Sequence, residues 1–137
     1  MSGNKRNTLE NALSKNLKPS SEKDALPFPE PIHRLDFQTT GIVIIGKTPS
    51  AVRLLNKMFE ERKIDKEYSA VCIGEMPESG KIDKPVDGKK AFTEFSVIKS
   101  KASHKFKYLN LVQIRIETGR RHQIRQHMFS IGHPVLG

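Results

Sequence analysis

One cysteine, no long apolar run and a shortage of acid limit what this chain of 137 residues can be. Cys72 has no second thiol in the chain to pair with, so internal disulfides are excluded and a reducing cytoplasm is the expected compartment. Its neighbours Val71 and Ile73 place it on an apolar strand, where a free thiol is usually buried and inert. No run of roughly 18 apolar residues exists to form a transmembrane helix. Met1 to Arg6 has no apolar stretch, so neither a secretory signal nor a membrane partner is expected.

Several chemistries are missing as well. The chain has no Gly-x-Ser-x-Gly elbow, and no glycine-rich phosphate loop with Lys-Ser or Lys-Thr follows a strand. It has no cysteine pair, and His122 and His127 stand five apart rather than at the four-residue spacing that puts two ligands on one helical face. No metal is expected.

Positive charge is what remains. Lysine and arginine number 24 against 15 acids, a net charge of +9 that calls for an anionic partner, nucleic acid first. The surplus is concentrated. From Lys99 to His127 lie Lys99, Lys101, Lys105, Lys107, Arg115, Arg120, Arg121 and Arg125, with Glu117 as the single acid. Such a face is an electrostatic footprint for phosphates.

The chain reads as an α+β protein, a mixed, largely antiparallel sheet flanked by helices. Leu9, Leu13 and Leu17 recur every four residues, a short helix. Pro19, Pro27, Pro29 and Pro31 then mark a linker, so 1–30 is expected to be a polar segment adding little core, with the domain proper over 31–137. Gly41 to Lys47 predicts a strand buried on both faces. Thr48-Pro49 opens an amphipathic helix on Val52, Leu55, Met58 and Phe59, ending near Arg62 or Lys63. Strands follow at Glu67–Glu75 and, more weakly, within Lys81–Gly88. A hairpin over Ala91–Ser100 and Phe106–Thr118 turns through Lys101–Lys105. A last helix runs from about Arg121 to Ser130, closed by Gly132.

Between the prolines and the first apolar run sits His33-Arg34-Leu35-Asp36, one carboxylate beside a guanidinium and an imidazole. An acid on a loop can serve as nucleophile, general base, metal ligand or turn cap. Asp36, several arginines and a tyrosine are the working groups that composition and spacing leave.

His33-Arg34-Leu35-Asp36-x-x-Thr39-x-Gly41 resembles the catalytic motif of the RluA-like family of RNA pseudouridine synthases. Lys66-Glu67-Tyr68-Ser69-Ala70 is similar to that family's Lys-x-Tyr-x-Ala strand, and Gly119-Arg120-Arg121-His122-Gln123-Ile124-Arg125 to its third motif, with Gly132-His133-Pro134 as the exit. The resemblance implies isomerisation of uridine to pseudouridine in RNA, ribosomal RNA by default and transfer RNA as the alternative, by a monomer without cofactor or metal. It implies Asp36 as the catalytic carboxylate, Tyr68 against the target base and Arg125 as the partner of Asp36. RNA contacts would fall to Arg34, as a wedge filling the space of the flipped nucleotide, and to His33, Lys66, Arg120, Arg121, His122 and Gln123. Phe37-Gln38 departs from the charged residues usual after the aspartate. The family's domain has strands ahead of and beyond this stretch, so the chain reads as an incomplete catalytic domain, cut short at both ends. A catalytically incomplete RNA-binding fragment is the alternative reading.

Overall fold

A computed structural model describes residues 8–137. It divides into two compact units, Met1–Lys63 and Ile64–Gly137. The proline-rich stretch is sewn onto the first unit: the Leu26 N–H donates to the Lys47 carbonyl at 2.8 Å, and Pro29 is buried. Prolines spoil regular ladders, but they do not prevent packing.

In the first unit, α1 (Leu9–Asn16) is capped by the Thr8 hydroxyl, which accepts from the Asn11 N–H, and it buries Leu13. β1 (Glu30–Pro31) and β2 (Ile45–Gly46) form a two-residue antiparallel ladder. The long strand expected over Gly41–Lys47 is therefore mostly irregular, and Ile42 is 87% exposed. The ladder goes no further because the chain turns away after Ile32 and the Ile44 N–H is taken by His33 Nε2. α2 (Pro49–Glu60) matches expectation, with Thr48 capping the Ala51 N–H at 3.2 Å and Pro49 in its first turn.

The second unit is a four-stranded antiparallel sheet in the order β3-β6-β5-β4. Its strands are β3 (Lys66–Ile73), β4 (Ser79–Asp83), β5 (Phe92–Ser103) and β6 (Lys107–Ile116). Strand alternation sends Cys72, Ile82, Phe95, Val112, Ile114 and Ile116 to one face, where Met128 of α3 (Gln123–Ser130) closes the core. Each such side chain contributes about 1.5–3 kcal/mol on burial. The hairpin strands are longer than expected, pairing as far as Ser103 with Lys107, so the turn shrinks to three residues. A bulge between Val97 and Lys99 turns Ile98 outward, 57% exposed.

α3 begins at Gln123 rather than Arg121, because His122 is left-handed (φ 51°) and cannot be part of the helix. Its end is as read. The Gly132 N–H donates to Phe129 and the His133 N–H to Met128, with Gly132 at φ 84°.

Gly80 faces Phe95 across β4 and β5, and a Cβ there would lie 2.7 Å from the phenyl ring. Gly80→Ala is expected to lose about 1–3 kcal/mol in urea unfolding, and Phe95→Leu in the same chain to recover part of the loss relative to Phe95→Leu alone. Cys72 is fully buried, and burial pushes its thiol up to about 11. The native chain should therefore resist iodoacetamide at pH 8 and label only in denaturant.

Candidate functional site

The first unit holds Asp36 on the loop between β1 and β2. The Ile32 N–H donates to the Ile44 carbonyl at 2.9 Å, as a continuing ladder would. The return bond goes elsewhere: the Ile44 N–H donates to His33 Nε2 at 3.1 Å. The imidazole stands in for a backbone carbonyl, ends the ladder and releases the chain into the loop. Its ring lies 5.2 Å from that of Phe59, tilted by 39°. With Nε2 accepting, the ring proton of the neutral form sits on Nδ1. Past this anchor, the Thr39 N–H donates to the Asp36 carbonyl at 2.9 Å, closing a turn. Asp36 and Leu35 are half-buried, Arg34 is exposed, and Phe37 is fully open to solvent.

The second unit holds the other expected residues. Tyr68 is half-buried on the core face of β3, opposite Ile114. Arg125, on α3, donates from Nη1 to the Gly137 carbonyl. Lys66, Arg120, Arg121 and His122 gather at one end of the sheet. Lys66 Nζ donates to the Glu117 carbonyl at 3.2 Å, and Arg120 Nε to the Lys90 carbonyl at 3.2 Å. Arg121 is exposed.

Gln123 corrects an expectation. It is only 2% exposed, and its amide is saturated inside the fold. Oε1 accepts from the Thr118 hydroxyl at 2.7 Å and the Arg120 N–H at 3.1 Å, while Nε2 donates to the Phe92 carbonyl at 2.9 Å and to Thr93 Oγ1 at 3.0 Å. No group is left for RNA. His127, at the limit of the basic stretch, is buried too, at 2% exposure. The Lys84 carbonyl, 2.9 Å from Nε2, can only accept, so Nε2 carries a proton and Nδ1 is free to accept the Thr93 hydroxyl at 2.8 Å.

Thr93, Thr118 and Asn110 are the residues that pattern reading passed over. Each falls in the inward register of an otherwise apolar alternation, which is a signal of a buried polar partner. Asn110 donates to the Cys72 and Gly74 carbonyls at 3.3 and 2.8 Å and accepts from Ser100 at 2.6 Å. It pins the end of β3.

Away from these residues, a depression of about 390 Å³ lies on the outer face of the sheet, over Gly80 and Phe95. Its charges satisfy one another: Lys81 pairs with Glu94 at 2.6 Å, and Arg115 with Glu67. The Arg115 hydrogen bond and charge hold the Glu67 carboxyl below its usual range, and Glu94 holds Lys81 above its own. Among the described residues no cluster of three or more His, Cys, Asp or Glu side chains is placed to hold a metal ion, and no helix is long and apolar enough to cross a membrane.

The family model for RNA pseudouridylate synthases matches residues 2–130, and the chain belongs to that family. An uncharacterised RNA pseudouridine synthase of Aquifex aeolicus is 38% identical over 145 residues, covering 95% of this chain and 45% of the relative. Ribosomal large subunit pseudouridine synthase D of Vibrio vulnificus is 40% identical over 120 residues, covering 77% of this chain and 35% of the relative. The solved human RNA pseudouridylate synthase domain containing 4 superposes with a TM-score of 0.67 at 26% identity, over 80% of this chain and 50% of that one. A second human protein, domain containing 1, shares the fold at a TM-score of 0.70 and 24% identity, over 80% of this chain and 53% of that one. The chain thus spans about half the length, or less, of these relatives.

Replacing the Gln123 amide by a hydrocarbon leaves the Thr118 hydroxyl proton and the Arg120 N–H without their acceptor, and the Phe92 carbonyl with the Glu117 N–H alone. Gln123→Leu is expected to cost about 2–4 kcal/mol in chemical denaturation, against less than about 0.5 kcal/mol for exposed Gln126→Leu.

Proposed function

We propose that this chain isomerises uridine to pseudouridine in RNA, with Asp36 as the carboxylate that engages the ribose. Family membership over residues 2–130 is the observation that carries the reading. The reaction exchanges the C1′–N1 bond for a C1′–C5 bond, and the proton lost from C5 is balanced by one gained at N1. A carboxylate serves either as nucleophile at C1′ or as base toward the 2′ proton. Asp36 is suited to both by its place in a closed turn just beyond the His33 anchor.

In this reading Arg125 and Tyr68 are the further catalytic residues, with Tyr68 relaying the C5 proton. A stacked base is out of reach, so the target nucleotide is extruded and the exposed Arg34 fills its place. His33 holds the loop through Nε2, which accepts from the Ile44 N–H, and stands with Arg34 among the RNA contacts. Lys66, Arg120, Arg121 and His122 form the basic contact surface. The name shared by several relatives, ribosomal large subunit pseudouridine synthase D, supports ribosomal RNA as the substrate, with transfer RNA the alternative. The protein would act as a monomer in the cytoplasm.

Asp36→Asn keeps the shape and removes the charge. Incubated with uridine-containing ribosomal RNA, it should lower pseudouridine formation at least about 10³-fold while RNA affinity stays within about threefold. Product from the variant at the wild-type rate would exclude Asp36 from the chemistry. RNA binding by the wild-type chain without any product would favour the binding-fragment reading.

A further inference from the structure

The end of the second unit that carries Gly119 to His122 holds more cations than the motif itself. The segment 86–92 lies beside it. Val86 and Ala91 are each 1% exposed, and between them Asp87 (φ 50°) and Gly88 (φ 72°) make a two-residue turn. The turn is closed in both directions by bonds between Val86 and Lys89, at 2.9 and 3.1 Å. Two left-handed residues in an Asp-Gly pair are what such a turn requires. A closed turn between two buried anchors presents the exposed Lys89 and Lys90 on stiff backbone.

Three bonds join this segment to the motif loop. Arg120 Nε donates to the Lys90 carbonyl, the Phe92 N–H donates to Thr118 Oγ1 at 3.3 Å, and Gln123 Nε2 donates to the Phe92 carbonyl. On the other flank, Lys66 Nζ lies 3.9 Å from where a side chain on Gly119 would begin. Lys66, Arg120, Lys90 and Lys89 therefore make one band across the end of the sheet. Asp65, Asp83, Asp87 and Glu117 are the acids at this end, and among the described residues no ion pair ties them to Lys89 or Lys90.

We infer that Lys89 and Lys90 grip the sugar–phosphate backbone of the RNA, extending the contact surface of the Arg120–Arg121 loop without reading bases. The inference rests on the RNA-modifying reading above. Of the segment's apolar residues Val86 and Ala91 are buried and Phe92 is half-buried, so the band lacks the exposed apolar centre of a protein–protein interface. Phosphate contacts need only charge in a fixed position, and this segment supplies both.

Salt titration of RNA binding by the full chain separates the possibilities. Lys89→Ala/Lys90→Ala should flatten the slope of log K against log salt by about 1.4–1.8, equally for unrelated stem-loops. Lys81→Ala/Lys107→Ala removes the same formal charge from lysines already paired with Glu94 and Glu75, and should leave the slope as in wild type. If both double variants flatten it equally, the effect is one of net charge and the inference is wrong. If wild type binds and modifies RNA while Lys89→Ala/Lys90→Ala keeps the wild-type slope, the inference fails and the proposed function stands. If wild type binds no RNA, both fall. Lysine-dependent binding of poly-glutamate in preference to RNA would mark the band as a protein-docking surface and overturn the inference.

Discussion

The carboxamide of Gln123 lies where three parts of the second unit meet: the start of β5, the loop leaving β6 and the first turn of α3. An amide has two protons and two lone pairs to satisfy, and each buried group left unmatched costs about 1–3 kcal/mol. All are matched here, by Phe92, Thr93, Thr118 and Arg120. Through the Thr93 hydroxyl the same network reaches His127 and the Lys84 carbonyl. α3 has only eight residues, too few to persist alone in water. Met128 holds one side of it by burial, and this network holds another by geometry. The basic loop before α3 is consequently a constrained element, which is what a charged surface needs if its charges are to stay in register with phosphates.

The first unit is built on a different principle. It has a two-residue ladder and two short helices, and much of its surface is open. Its decisive contact is a substitution of one acceptor for another, the His33 imidazole in place of a main-chain carbonyl. Had the ladder continued, the segment bearing Asp36 would be extended strand. Because it stops, the chain folds back over residues 36–39 and the carboxylate sits on a turn.

Electrostatics divide along similar lines. Across the outer face of the sheet, Lys81, Glu94, Arg115 and Glu67 stand in one rung over all four strands, alternating in sign. That rung cancels its own charge, and the net charge of +9 must reside elsewhere. The end of the sheet at Lys66, Lys89, Lys90, Arg120 and Arg121 is one place where it does. Mere abundance of lysine would not separate a neutralised face from a basic one. Cross-strand register does.

Periodicity and capping chemistry made most elements legible beforehand. Alternation located β3, β5 and β6, Thr48-Pro49 located the start of α2, and Gly132 located the end of α3, because each of these is a local property of the backbone. The motifs around Asp36, Tyr68 and Arg125 marked the family from the same linear text. What the sequence could not determine was whatever depends on partners distant along the chain. The apolar run after Gly41 reads as a buried strand, yet the His33 imidazole across from it takes the Ile44 N–H, the ladder stops at two residues, and Ile42 stands in solvent. Gln123 and His127 read as polar groups of a basic face, yet acceptors and donors supplied by β5, the β6 exit and Lys84 draw them inside. Local propensity is written residue by residue, whereas burial and hydrogen-bond satisfaction exist only once segments far apart in sequence have met.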